Sequence, residues 1–426
     1  MPAAPPRYVL ATAGSTGDMH PFMALARALQ ALGRRVDIVG PAAHADLVAP
    51  TGLPFTGLGT HEEYERVIAN PDLWHPRRGF KVMFGRYQAV LLEGFHAFMA
   101  FQGSAPLVVI GHPLALPAAA LAREKGSGAR LVGTWLAPSN LRSRHGPLQL
   151  GPVAVPRWVP PPVRGALWRL LDRALVDPHA ATALAAARAE LGLPALGQSF
   201  LPHMQALPEL SLALFPDWFA PPQPDWPRPL LQGDFPLYDA GADAPTPPPL
   251  AAFLEAGSPP LVVTPGTGNT HAGRLFDAAL RAAQCLRRRA VFLTRHRTQV
   301  PATLPDTVLW LPYVPLARLL PHAAALVHHG GIGTTAEALR AGVPQLVTPF
   351  AWDQFDNAAR VRALGVGAVL PAASIGAARL QRRLQALLSS ADTPRRCAQV
   401  AARFPQRPRL QALCRALETA LGLAAP

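Results

Sequence analysis

The sequence predicts an α/β protein of two domains, each organised on an open parallel sheet. Three observations carry this expectation. Short β-rich apolar runs alternate with helical patterns, the order that βαβ units produce. The runs fall into two sets, at residues 8–13, 36–39, 107–110 and 130–134, and at 261–264, 290–293, 308–311, 325–328 and 345–348. At 426 residues the chain also exceeds one compact core, so two domains of about 200 residues are the natural division.

The first run, "YVLATA", leads into "GSTGDMHP" at residues 14–21. Gly14 and Gly17 permit a sharp turn, and Pro21 suits the first turn of a helix. Phe22, Leu25, Ala26, Leu29 and Leu32 then repeat at helical spacing until Gly33. Asp18 is therefore expected at the helix start, on the carboxyl edge of the first strand. It reads either as an N-cap or as a base facing a cleft. His20 is the rival base, because an imidazole titrates near neutrality. The pattern is GxxG and not GxGxxG, and the second strand ends at Gly40 where a dinucleotide site wants an acid, so a dinucleotide cofactor is disfavoured.

Further along, the uncharged run at 105–122 approaches membrane-spanning length. Gly111, His112, Pro113 and Pro117 break it into strand, turn and helix start. Residues 146–162 are proline-rich and read as a long loop. The denser proline stretch at 214–249 forbids a long helix or a central strand and reads as an interdomain linker. The expected division is 1–213, linker 214–250, second domain 251–405, and a last helix at 406–426 packing back on the first domain.

In the second set the most informative segment is "LVHHGGIGTTAEALRAGVPQLVTPFAWDQFDNAARV", residues 326–361. A strand ends at His328, the turn is "HGGIG", and a helix runs to Gly342. Gly330, Gly331 and Gly333 let the backbone approach an anion, at which the helix N-terminus points free N–H groups. Thr334, Thr335 and His329 can add donors, so a phosphate or diphosphate fits. Glu337 could accept both hydroxyls of a ribose. "VVTPGTGN" repeats the strand-then-glycine pattern and could supply Gly266 and Thr267 to the same phosphate.

Composition narrows the class. The net charge is +14 and half the residues are apolar, so the chain is globular. Lysine occurs only at Lys81 and Lys125, the arginines are scattered, and no nucleic-acid motif accompanies them, so no nucleic-acid partner is expected. Cys285, Cys397 and Cys414 lack CxxC spacing, which suits a reducing compartment. The N-terminus "MPAAPPRY" places prolines where a signal peptide carries its apolar segment. A soluble, cytoplasmic protein is expected, with peripheral contact at the inner membrane face left open by the basic surface.

Residues 313–357 resemble the donor-binding signature of family 1 glycosyltransferases of the GT-B fold, two Rossmann-like domains with parallel sheets facing across a cleft. The resemblance implies that His329 contacts the diphosphate, that Gly333 and Thr334 bind phosphate, and that Glu337 binds ribose. It further implies that Asp353 and Gln354 hold the sugar hydroxyls. Tyr313 stands where the family has a Trp that stacks on the base, with Val314 beside it. "GSTGDMHP" is similar to the corner of bacterial and sterol glycosyltransferases, which belong to the wider group that includes family 28, and this favours Asp18 as base. "NPDLWHP" and "LFPDWFAPPQPDWP" look like the rhamnosyltransferases of rhamnolipid synthesis, although those lack an acid at the Glu337 position. Glu337 thus tilts toward a UDP-sugar over a dTDP-sugar. Arg295 falls where relatives often have glycine.

The function that the resemblance implies is an inverting hexosyl transfer. Asp18 would take the acceptor proton while the diphosphate leaves against the His329–Thr335 turn. No metal or other cofactor is expected, the nucleotide-sugar being a co-substrate. Gly14, Ser15, Arg77, Arg78 and Phe80 are expected to line a lipophilic acceptor: a hydroxy-acyl lipid, a sterol-like alcohol or a polyketide. The other classes that fit are a nucleotide-sugar epimerase of the same fold and a catalytically silent nucleotide-binding partner protein. The sequence leaves the oligomeric state open.

Overall fold

The structure, a computed structural model, describes residues 5–103, 105–156, 158–238, 245–405 and 409–423. The start of the expected signal-free N-terminus, six residues of the expected linker (239–244) and residues 406–408 lie outside the described residues. Among the described residues fifteen strands form three sheets. In the first half they are β1 Arg7–Ala11, β2 Arg35–Pro41, β3 Phe55–Leu58, β4 Leu107–Gly111 and β5 Arg130–Trp135. A two-stranded ribbon follows, β6 Leu148–Leu150 with β7 Val153–Val155, and then β8 Leu210–Ala213 and β9 Leu230–Gln232. The remaining strands are β10 Leu261–Thr264, β11 Ala290–Leu293, β12 Val308–Leu311, β13 Ala325–His328, β14 Gln345–Val347 and β15 Gly367–Val369.

The first large sheet has seven strands in the order β3-β2-β1-β4-β5-β8-β9, and the second has six in the order β12-β11-β10-β13-β14-β15. Neighbouring strands pair in parallel throughout both. Helices connect the strands and cover the faces, so central strands such as β4 and β13 are buried along their whole length. In both sheets the order reverses once, between β1 and β4 and between β10 and β13. In an open parallel sheet a ligand binds beyond the carboxyl ends of the strands at that reversal. The turns to inspect are therefore those after β1 and β4, and those after β10 and β13.

The described chain divides into two compact units. One holds residues up to Leu148, then Ala154–Pro236 and the C-terminal helix Leu410–Ala420. The other holds Gln149–Val153 and the residues from Leu237 through the second large sheet. The first unit thus continues past residue 213, into the stretch expected to be linker. β9 lies in that stretch, at an edge of its sheet, where the neighbouring Pro229 carbonyl accepts from the Ser211 N–H at 3.0 Å. An edge position tolerates proline, whereas a central one would not.

Nine strands occur where the alternation of apolar runs predicts them, with β1 ending at Ala11 and β14 at Val347. β3, β8, β9, β15 and the β6–β7 ribbon were not expected. β3 is "FTGL", mostly half-exposed at a sheet edge, and β15 has three residues, also at an edge. Neither offers the continuous burial that makes a strand legible.

Candidate active site

β1 ends at Ala11 and the helix Thr16–Ala31 begins five residues later. Between them Gly14 adopts a φ of 102°, and a Cβ there would stand 2.4 Å from Asp18 Oδ2. Glycine is required so that the carboxylate can fold back onto the turn. Asp18 is not the N-cap. Ser15 is, and Asp18 is the third helical residue, whose Oδ2 accepts from the Ser15 N–H at 2.7 Å and the Ser15 hydroxyl at 3.0 Å. This is a capping-box arrangement. It uses one carboxylate oxygen and leaves Oδ1 with no hydrogen-bond partner among the described residues. The capping and basic roles of Asp18 are therefore compatible. His44 Nε2, 3.0 Å from the Gly14 carbonyl, pins the turn. His20 is two residues further on, about 200° round the helix from Asp18, and is engaged within the chain. The two rival bases do not share a face.

After β4 comes a residue that the sequence reading passed over as part of a chain break. The His112 N–H donates to the Ala11 carbonyl at 2.7 Å, which places it beside the end of β1. Its ring is buried, and burial pushes its pKa below the ordinary value while the Asp18 charge opposes the shift. The usable signal was position, a titratable side chain one residue beyond a strand at the reversal point.

In the second unit, His329 follows β13 and its ring lies between two glycines. A Cβ on Gly266 would meet the His329 Cε1 at 2.5 Å, and one on Gly331 would meet its Nε2 at 2.4 Å. Burial pushes the His329 imidazole down to about 4, so it is neutral near pH 7 and carries one N–H. Its Nδ1 is buried without a partner. His328, which sequence reasoning treated only as a strand end, is structural. Its Nδ1 accepts from the Gly330 N–H at 3.2 Å, its Nε2 lies 3.0 Å from Gln345 Oε1, and burial first among its causes pushes it down to about 3.

The helix Ile332–Ala341 has Gly331 as its N-cap with no side-chain cap, so the N–H groups of its first turn have no side-chain acceptor there. A Cβ on Gly333 would meet nothing within 4 Å, so no internal packing demands glycine at that point. Thr334 is half-buried. Thr335, named with it as a hydroxyl donor, is instead fully buried, with its Oγ1 unpartnered inside the fold. Its position, one residue further round the helix, turns it inward. Thr267 is exposed after β10, and Gly266 has a φ of 86°.

Around this helix start lie the other expected donor residues. Tyr313 is an exposed aromatic, and the Arg295 guanidinium carbon lies 5.8 Å from its ring centroid. Burial raises the Tyr313 hydroxyl pKa, Arg295 opposes this and Glu337 adds to it, so all three residues are neighbours. Val314 is buried in the core, which leaves only its backbone to offer. Glu337 Oε2 accepts from Arg340 at 2.7 Å. Asp353 caps the helix Gln354–Leu364 by position, and its Oδ2 accepts from Asn357 Nδ2 at 2.8 Å. Gln354 Oε1 accepts from the Phe350 and Ala351 N–H groups at 2.8 and 3.2 Å, which leaves its amide nitrogen as the group able to donate. Trp352, just before this pair, holds a φ of 58°, a conformation a bulky residue seldom adopts.

The residues expected to line the acceptor are less convergent. Arg78 Nε is paired with Asp72 Oδ1 at 2.8 Å in an exposed salt bridge. Phe80 packs against the core of the first unit. Arg77 is exposed and makes no ion pair among the described residues. Among the described residues no group of three or more His, Cys, Asp or Glu could hold a metal ion, and no helix is long and apolar enough to cross a membrane.

Two parallel-sheet units, with an acid–glycine corner on one and an uncapped helix start on the other, are the architecture of the nucleotide-sugar-dependent transferases that the chain matches. Residues 8–123 match the glycosyltransferase family 28 N-terminal domain, and residues 289–419 match the erythromycin biosynthesis protein CIII-like C-terminal domain. Glycosyltransferase GtfE of Amycolatopsis orientalis is 30% identical over 386 residues, 85% of each chain. The O-mycaminosyltylonolide 6-deoxyallosyltransferase of Streptomyces fradiae is 29% identical over 385 residues, again 85% of each. The glycotransferase of kitacinnamycin shares the fold at a TM-score of 0.71 and 22% identity, covering 98% of this chain and 100% of its own. Glycosyltransferase VinC, solved with dTDP, shares it at 0.64 and 21%, covering 98% and 100%. The chain belongs to the GT-B glycosyltransferases of the family 28 and erythromycin CIII-like type. The likeness to rhamnolipid rhamnosyltransferases rests on the two short segments alone.

Proposed function

We propose that the chain transfers a hexose or deoxyhexose, with inversion, from a pyrimidine nucleoside diphosphate sugar to a hydroxyl of a lipophilic acceptor. A polyketide-type aglycone is the favoured acceptor, because the relatives' names include a tylonolide and aklavinone. A dTDP-sugar is the favoured donor, because VinC and a second fold relative were solved with thymidine diphosphate. The engagement of Glu337 by Arg340 weakens the argument for a ribose 2′-hydroxyl. In this reading the reaction takes place in the cytoplasm, at or near the inner membrane face.

The observation that carries the proposal is the unfilled space at Gly333 on an uncapped helix start, beside a neutral histidine whose Nδ1 lacks a partner. In the proposed step the acceptor oxygen forms a bond to the anomeric carbon while that carbon's bond to the diphosphate breaks, the electron pair leaving with the diphosphate. The acceptor proton passes to Asp18 Oδ1. Negative charge grows on the leaving diphosphate, where the Ile332–Thr334 N–H groups and His329 stabilise the transition state more than the ground state. Gly333 keeps that approach open, and the amide of Gln354 with the carboxylate of Asp353 would orient the sugar hydroxyls. Asp18→Asn should lower kcat at least about a thousandfold with nucleotide affinity unchanged. Turnover within a few-fold of the unaltered enzyme would refute the base assignment. NMR of the product's anomeric centre tests inversion.

A further inference from the structure

The two reversal points carry histidines in the same local frame. His328 ends β13 and His112 directly follows β4. Each accepts, through Nδ1 at 3.2 Å, the backbone N–H of the residue two places on: Gly330 and Leu114 respectively. That contact makes Nδ1 the acceptor and puts the ring proton on Nε2. In His328 this Nε2 meets Gln345 and the residue is satisfied internally. In His112 the Nε2 has no hydrogen-bond partner among the described residues. That nitrogen is reachable from outside the fold, so an acceptor that the protein does not supply can meet it.

The Asp18 carboxylate lies within electrostatic reach of this ring. β1 and β4 pair in parallel with Ala11 opposite Gly111, and the His112 N–H extends the ladder by one bond to the Ala11 carbonyl. The ring lies near enough to Asp18 to feel its charge, yet no hydrogen bond joins them. Asp18 in turn has Oδ2 committed to Ser15 and Oδ1 uncommitted. One donor and one acceptor thus stand at the same reversal point, and the protein does not bond them to each other.

We propose that His112 is an acceptor-binding residue: its Nε2–H donates to the oxygen of the sugar-accepting hydroxyl, whose proton points at Asp18 Oδ1. The hydroxyl then presents its remaining lone pair to the anomeric carbon. His112 orients the nucleophile and takes up no proton, because protonating Nδ1 would set it against the Leu114 N–H. The transferred proton rests on Asp18 and leaves to solvent after the product departs. This inference rests on the reading of Asp18 as base, and a Thr134 hydroxyl bond to the Gly111 carbonyl at 2.8 Å holds the strand end that carries His112.

The test pairs His112→Gln, which keeps an N–H near the Nε2 position, with His112→Met, which has similar reach and no donor. With dTDP-glucose as donor and 4-methylumbelliferone as acceptor probe, His112→Met should raise the acceptor KM at least about tenfold, and His112→Gln by less than about threefold. The dTDP affinity should be unchanged in both. Equal loss or equal retention in the pair overturns the inference. Nitrogen NMR of histidine-labelled protein gives a readout independent of turnover. The expected result is the Nε2–H tautomer at His112, with its titration moving to lower pH in Asp18→Asn; the Nδ1–H tautomer, or no movement, overturns it. If Asp18→Asn retains kcat, the base assignment fails, whatever the His112 pair shows.

Discussion

At the scale of residues, two glycines make opposite kinds of prediction. Gly14 is required by the fold, since a Cβ there would collide with the Asp18 carboxylate. Gly14→Ala should therefore lower both stability and turnover. Gly333 has empty space in front of it and sits in a helix, where alanine is intrinsically better by up to about 1 kcal/mol. Gly333→Ala is predicted to leave the melting temperature unchanged or slightly higher while weakening dTDP binding about tenfold or more. Calorimetry and a thermal melt on one preparation check both halves, and parallel losses would contradict a ligand-facing role. His329→Ala removes a donor without leaving an internal bond unmade. The expected loss of nucleotide affinity is about 10- to 100-fold, from a charge-assisted hydrogen bond of about 1.5–3 kcal/mol.

At the scale of elements, the C-terminal helix Leu410–Ala420 is tied to the first sheet by one acid. Glu418 Oε1 accepts from Tyr8 Oη at 2.7 Å and from Arg34 Nε at 2.6 Å, and its Oε2 accepts from Arg34 Nη2 at 2.9 Å. Burial pushes the Glu418 carboxyl up, but the Arg34 and Tyr8 bonds outweigh it and the net shift is downward. A depressed folded-state value stabilises above the ordinary 4.5 and is lost as pH falls through the folded value. Glu418→Ala should cost about 1–3 kcal/mol at neutral pH, because it leaves the buried Tyr8 phenol unpaired and the half-exposed Arg34 guanidinium without its acid. The difference from the unaltered protein should shrink below pH 4.5. Urea titrations at neutral pH and near pH 4 would show it, and a constant difference would count against the account. This tie was not legible in sequence, since Tyr8 and Glu418 lie 410 positions apart. Most central strands were legible because parallel strands buried on both faces read as unbroken apolar runs; β8, buried but interrupted by Ser211, was not. The edges β3 and β15 were not, because partial exposure and short length erase that signal. The corner positions of Asp18, His329 and Gly333 were legible because strand–glycine–helix corners are local. His112 was not, because its meaning depends on the pairing of β4 with β1.

At the scale of the whole molecule, several buried histidines set the response to acid. His328 and His329 titrate at about 3 and about 4 in the folded chain, and burial also lowers His112 and His203, against an ordinary value of 6.5. The unfolded chain therefore binds more protons between pH 6.5 and about 4, so stability should rise with pH across that window. Each such group contributes up to about 1.4 kcal/mol per pH unit, and a flat urea midpoint over the window would contradict the burial assigned to these rings. Saturating nucleotide should stabilise the fold by mass action, by about 2.7 kcal/mol at a hundredfold excess over Kd, and raise the melting temperature with it. The measurement that tests the central claim most directly is isothermal titration of the protein with dTDP, UDP and GDP, repeated with Gly333→Val. The account predicts tight binding of a pyrimidine diphosphate, weaker binding of GDP, and loss of that binding in a variant that remains folded. Binding of none of the three, or undiminished binding to the folded variant, would contradict it.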